Sequence, residues 1–416
     1  MSRIKLKIDI KLLFVVIVFF CMVEAIVYSF FINGNGNYFY IGTMNSDPGG
    51  DFYLSLLFSS KLKPYDNIFP YPPLTVLLCY LLRFITHDER TLNANVVDFD
   101  NTFYNIYANN FDYKNMFFIL SIITFIIMFY LIYINLRKKE KNEIILFLIS
   151  ILLLCNSGLL CALVRGNLLL QCLLFLLIFS VTYYRNEKKY IYISILSLVL
   201  AFNIKPYAAV FGVLYLYNKR YKEAIISSIL AIISFAIPFC FLNGGFEYNF
   251  IAFFKNLKSF GNSSYMFGIS SFICTITNRF PIFSNYEQSI RIITQLFSIF
   301  FCVILFLSGF MQNTKWKKIL IVTLILILLP SNFGYILSFM MIPTMFFIRD
   351  EYVLKKNNIF ILFSFLFLTA PFVITRYHLP TVRYIICNLL LVVLSLWLIY
   401  DGFILSFLKC RGNNNE

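Results

Sequence analysis

Two carboxylates stand in the run Asp47-Pro48-Gly49-Gly50-Asp51-Phe52-Tyr53, with Phe69-Pro70-Tyr71-Pro72-Pro73-Leu74 close behind, directly after an apolar stretch from Leu12 to Ile32. A carboxylate held beside a bilayer can serve as a general base on a hydroxyl group. Asp51, with Phe52 and Tyr53 next to it, suits a short amphipathic helix at the membrane surface and is the leading candidate for that base. Asp47, ahead of Pro48-Gly49-Gly50, also has the chemistry of a turn residue. Two cations, Arg165 and Lys205, lie at the tips of apolar turns. A charge inside a span costs roughly 2.5 to 3.5 kcal/mol even on the lenient scale, so both need partners, and a phosphate is a natural one. For Arg165 the alternative is a side chain snorkelling to lipid headgroups. Asn167 suits either a helix cap or a substrate contact. Tyr53 and Tyr71, with Tyr38, Tyr40 and Tyr65, could offer a sugar-stacking surface, and Asn332 sits in a further polar tip, Leu329-Pro330-Ser331-Asn332-Phe333-Gly334.

The elements that must position these residues are membrane helices. With 60% hydrophobic residues and 13% charged, the chain has more apolar surface than water tolerates. Stretches of the roughly 20 apolar residues a span needs run over 12–32, 116–136, 224–242, 290–311 and 384–407. The net charge of +15 sits in short clusters between spans: Arg3/Lys5/Lys7/Lys11, Arg137/Lys138/Lys139/Lys141, Arg185/Lys188/Lys189, Lys219/Arg220/Lys222, Lys315/Lys317/Lys318, Arg349/Lys355/Lys356 and Lys409/Arg412. That is the pattern of cytoplasmic loops, and it argues against nucleic-acid binding, which would gather the charge on one face.

If every cluster is cytoplasmic, an even number of crossings separates neighbouring clusters. Residues 33–115 then form one long periplasmic loop, and their eight acidic residues against five basic ones agree with that placement. Within it, 72–85 is too short to span and reads as an interfacial helix with Pro72 or Pro73 in its first turn. Residues 143–163 and 168–184 make an out-and-back pair turning at Val164-Arg165-Gly166-Asn167. Residues 190–217 and 319–348 are too short for two full spans each, and read as broken or re-entrant hairpins, tolerated where the backbone faces protein or water. Their tips are Asn203-Ile204-Lys205-Pro206 and 329–334. A second outer loop covers 243–289. The expected architecture is an all-α polytopic membrane protein, one integral membrane domain over 1–416. It has about eight full spans plus two hairpins, 10 to 12 apolar helices in all, and both termini are cytoplasmic.

The ten cysteines lie mostly inside apolar segments without a C-x-x-C pair, and the two histidines make a His-based metal centre improbable. No cofactor is expected, although a divalent ion would be compatible with the site. The basic start followed by an apolar run reads as a retained signal anchor.

Asp51-Phe52-Tyr53, Lys63-Pro64-Tyr65, Tyr71-Pro72-Pro73-Leu74, Gly166-Asn167 opening a leucine-rich helix, and Lys205-Pro206-Tyr207 before a helix ending in Asn218-Lys219-Arg220 together resemble the GT-C superfamily. The order of motifs is similar to that of polyprenyl-phosphate-sugar-dependent glycosyltransferases, including bacterial alpha-mannosyltransferases. The length, hairpins and long first outer loop resemble phage-type Gtr glucosyltransferases that decorate O-antigen. In place of that superfamily's Ser-Pro-x-x-Trp-x-His-like tip this chain has Pro330-Ser331-Asn332-Phe333-Gly334-Tyr335.

The resemblance implies a hexosyltransferase of the bacterial inner membrane. It would move a sugar, glucose favoured, from undecaprenyl-phosphate-sugar to the O-antigen of lipopolysaccharide or another surface glycan, as in serotype conversion. It implies Asp51 as base and Arg165 and Lys205 on the leaving phosphate. The partners implied are the lipid-linked sugar donor, a glycan acceptor and the bilayer. Two other readings stay open: an O-antigen or capsule polymerase, which would favour several outer arginines, and a lipid-linked glycan flippase or transporter.

Overall fold

The computed structural model describes residues 9–32, 50–59, 62–66, 69–85, 111–260, 267–277, 280, 282, 286–329, 334–351, 356–371 and 379–412. These residues are helical almost throughout, with no β-strand among them. The α-helices are α1 (Ile10–Ile32), α2 (Gly50–Ser59), α3 (Pro73–Ile85), α4 (Phe111–Arg137), α5 (Glu143–Leu154), α6 (Ser157–Arg165), α7 (Leu169–Thr182), α8 (Lys188–Ile204), α9 (Val213–Tyr217), α10 (Tyr221–Ala236), α11 (Gly245–Phe260), α12 (Ile269–Thr277), α13 (Glu287–Phe310), α14 (Lys315–Leu328), α15 (Met341–Asp350), α16 (Lys356–Thr369) and α17 (Leu379–Gly412). Four short 3₁₀ turns, Pro64–Asp66, Pro206–Gly212, Ile237–Phe241 and Gly334–Met340, join them.

Among the described residues, four helical segments are long and apolar enough to cross a bilayer: Asn115–Arg137, Tyr221–Phe241, Glu287–Phe310 and Tyr384–Phe403. They coincide with four of the five stretches expected from hydropathy. The pair α5 and α6 would make a fifth span, bent by 54°. Large apolar side chains on these segments face outward, as with Ile126 (61% exposed) and Leu296 (63%), which is the surface a membrane-crossing helix presents to lipid. By contrast α14 and α15 are buried nearly all round, from Ile319 to Leu328 and from Met341 to Ile348, the mark of helices at the centre of a bundle.

The chain divides into two compact units. The first comprises Met1–Met44, Phe129–Cys161 and Ser264–Glu416. Here α14 and α15 pack on each other across the tip 329–334, as the expected hairpin would; of that tip, 330–333, including Asn332, lies outside the described residues. The Asn142 side chain caps α5, its Oδ1 accepting from the N–H groups of Ile144 (3.1 Å) and Ile145 (3.2 Å). Asn156 does the same for α6 through Gly158 (2.8 Å) and Leu159 (3.2 Å), so the bend between α5 and α6 is a capped break.

The second unit comprises Asn45–Met128 and Ala162–Ser263, and it holds the described candidate site residues. Its centre is the hairpin of α7 and α8, with α10 also packed on α8. Lys205 ends α8 in an extended conformation (φ −139°, ψ 109°), because a residue before proline is pushed out of the helical region. The chain then turns back along α8 through the 3₁₀ turn Pro206–Gly212, with its break where the hairpin tip was expected. Helix α3 starts at Pro73, where a missing N–H costs little. An aromatic cluster of Phe52, Tyr53, Tyr65, Phe69, Tyr71, Phe239 and Phe253, with Val76 and Cys79 of α3, packs α2, α3 and α11 together.

Candidate active site

Helix α6 ends in a Schellman turn. Gly166 takes φ +69°, its N–H donates to Leu163 O (3.0 Å), and the Asn167 N–H reaches back to Ala162 O (2.9 Å). This left-handed step is where glycine is needed, and it sends the side chains on either side of Gly166 to the same target. Arg165 Nε donates to Asp51 Oδ2 (3.0 Å) and Nη2 to Oδ1 (2.9 Å), a two-pronged pair. Asn167 Nδ2 donates to Asp51 Oδ2 at 2.6 Å, while its Oδ1 accepts from the Leu169 N–H at 3.0 Å and so caps α7. Asp51 itself sits in the first turn of α2, where the helix dipole favours a negative charge. The pair is open on one side, with 18% of the Asp51 side chain and 33% of that of Arg165 exposed.

Lys205 is buried, with Nζ 3.9 Å from the centroid of the Tyr71 ring, a cation–π contact. The Asp51 carboxylate and the Arg165 guanidinium are among the groups that act on it electrostatically, together with the Cys172 thiol. Among the described residues no oxygen accepts a hydrogen bond from Nζ. Tyr71 is fixed in turn: Tyr65 Oη donates to Tyr71 O (2.9 Å), and Asn256 Nδ2 to Tyr65 O (3.3 Å). Thr75 Oγ1 donates to Asn203 O at 2.6 Å, pinning α3 to the last turn of α8.

Asp51, Arg165 and Asn167 thus form one cluster, with Lys205 within its electrostatic reach and Tyr71 against the Lys205 ammonium. Tyr53 is packed in the aromatic cluster of α2. Asp47 lies outside the described residues. Arg165, expected on a phosphate, has two of its nitrogens on Asp51. Thr75 carries no motif of its own; the signal that could have found it is a hydroxyl in the first turn of an otherwise apolar helix.

At the other end of α7 and α8, Arg220 donates to the carbonyls of Tyr183 and, at 2.9 Å, Arg185, and pairs with Glu223 at 2.7 Å. Two basic clusters therefore meet there. With 14 and 17 residues, α7 and α8 are about 21 and 26 Å long, and they separate those clusters from the Asp51 site.

Several helices long and apolar enough to cross a bilayer, with a carboxylate, a guanidinium and an ammonium gathered at one end of the α7–α8 hairpin of the second unit, define a multi-pass membrane protein with a charged site. The family model of glycosyltransferase family 87 matches residues 69–331, well over half of the chain, and the chain belongs to that family. It is a membrane glycosyltransferase. The matched region includes Tyr71, Arg165, Asn167 and Lys205, while Asp51 precedes it. No curated protein matches the chain.

Proposed function

We propose that this glycosyltransferase uses a GT-C-like mechanism, taking a hexose, glucose favoured, from a polyprenyl-phosphate-sugar and placing it on an O-antigen or other surface glycan at the outer face of the inner membrane. Asp51 takes the proton of the acceptor hydroxyl. The freed oxygen bonds to the anomeric carbon, and the bond from that carbon to the phosphate oxygen breaks, its electron pair leaving with the lipid phosphate. A direct displacement of this kind inverts the anomeric centre. Lys205, held on the Tyr71 ring with no acceptor oxygen on its ammonium among the described residues, faces the phosphate. As Asp51 takes the proton and loses its charge, the charge of Arg165 becomes available to the same phosphate.

The observation that carries the reading is the Asp51–Arg165–Asn167 cluster with Lys205 beside it, at the end of α7 and α8 away from the basic clusters. If those clusters are cytoplasmic, the site opens to the periplasm, where nucleotide sugars are absent and a lipid-linked sugar is the natural source. The test is mass spectrometry of O-antigen released from cells that also express a polyprenyl-phosphate-glucose synthase. A hexose added per repeat with the native chain, and absent with Asp51→Asn at equal membrane expression, is the expected result. An unchanged repeat mass with altered chain length would favour a polymerase instead.

A further inference from the structure

The three hydrogen bonds on Asp51 are unequally shared. Oδ2 accepts two, from Arg165 Nε at 3.0 Å and Asn167 Nδ2 at 2.6 Å; Oδ1 accepts one, from Arg165 Nη2 at 2.9 Å. A carboxylate has about four acceptor positions, two on each oxygen. Oδ2 is therefore filled, and among the described residues Oδ1 keeps one open position. From this we infer that Asn167 is a positioning residue for the reaction. By saturating Oδ2 it turns the carboxylate so that Oδ1 alone meets the acceptor hydroxyl and receives its proton. The inference rests on Asp51 being the base.

The build of the turn suits this role. Asn167 is 3% exposed, and both ends of its amide are engaged: Oδ1 with the Leu169 N–H and Nδ2 with Asp51. The cap fixes which end of the amide points to Asp51, since an N–H cannot be capped by NH₂. The carboxylate thereby takes its orientation from the N-terminus of α7, a rigid element. Arg165 supplies charge to both oxygens alike and cannot distinguish them; Asn167 can. Aspartate and serine are both good N-caps, so the capping and orienting functions of this side chain can be separated by substitution.

The experiment uses the full chain in lipid nanodiscs with a polyprenyl-phosphate-hexose and an acceptor glycan, comparing native protein with Asn167→Ser, Asn167→Asp, Asn167→Ala and Asp51→Asn. Asn167→Ser keeps the cap and loses the amide donor, whereas Asn167→Asp keeps the cap but sets a second carboxylate against Asp51, where the amide nitrogen now lies 2.6 Å away. Asn167→Ser is expected to lower kcat by about 10- to 100-fold, the scale of a small misplacement at a reacting centre. KM for the lipid-linked sugar should stay within about twofold and the melting temperature near native. Asn167→Ala should lower kcat likewise and also lower the melting temperature. Full kcat in Asn167→Ser while Asp51→Asn is inactive would overturn the positioning role alone. A raised KM with unchanged kcat would make Asn167 a substrate ligand and overturn it as well. Full turnover in Asp51→Asn would overturn the base assignment and this inference together.

Discussion

Lys205 and Arg165 are both cations at apolar turns, yet they meet different partners. Arg165 is paired to a carboxylate, whereas Lys205 has an aromatic face and no acceptor oxygen among the described residues. Replacing Lys205 by methionine keeps the length and removes the charge. The expected outcome is a fall in kcat of about 100- to 1,000-fold, as for loss of one stabilising donor, with the fold intact by size-exclusion chromatography. An effect on KM alone would make Lys205 a ground-state contact. These residues were legible in the sequence because a charge in an apolar run is costly. Their pairing was not, since Asp51 and Arg165 stand 114 positions apart and nothing in a single sequence links them. Tyr53, two residues after Asp51, lies on the buried side of the same short helix.

Helix breaks were readable where proline or glycine marks them. Pro206 ends α8 within the tip expected at 203–206, and Gly166 makes the turn before Asn167. The break between α5 and α6 at Cys155-Asn156 was not seen, because a capping asparagine inside an apolar run leaves no gap in hydropathy. Two glycines separate site geometry from packing. Gly166 needs its positive φ, so Gly166→Ala is expected to cost about 1 to 2 kcal/mol, to displace Asn167, and to lower kcat. Gly158 lies in the other unit, and a Cβ there would stand 2.5 Å from the Ser338 backbone nitrogen. Gly158→Ala must shift backbone and is expected to destabilise by about 1 to 3 kcal/mol, read as a lower melting temperature in detergent. A thermally native Gly158→Ala would show that the contact between α6 and the 3₁₀ turn Gly334–Met340 yields without cost.

Within each unit, basic clusters far apart in sequence come together, as the charge pattern requires if they share one side of the membrane. In the second unit Arg220 reaches the Arg185 carbonyl. In the first, Lys317 pairs with Asp401 (2.7 Å), Trp316 Nε1 donates to Glu351 (3.2 Å), and Lys11 pairs with Glu140 (2.6 Å), its side chain 2% exposed. Burial pushes the Glu140 carboxyl up. The hydrogen bond from Lys11 and the backbone N–H groups of Asn142 and Lys141 outweigh it, leaving the group below its ordinary value of 4.5. A carboxyl lowered in the folded state contributes stability above its unfolded value and loses it as pH falls through the folded one. Lys11→Gln is therefore expected to lower the melting temperature at pH 7, with the gap to native protein closing below about pH 4.5. A gap unchanged across that range would remove the pair from the stability of the first unit. The overall pattern of spans was legible because lipid selects composition; the two units were not, since contacts between distant helices leave no trace in hydropathy.

The most direct test of lipid-linked transfer is purified protein in nanodiscs, with an acceptor glycan and either a polyprenyl-phosphate-hexose or the matching nucleotide-hexose, following release of polyprenyl phosphate and glycan mass. Hexose transfer from the lipid-linked sugar alone, abolished or lowered about 100- to 10,000-fold in Asp51→Asn, is the result expected. Transfer from the nucleotide sugar, or full turnover in Asp51→Asn, would contradict it.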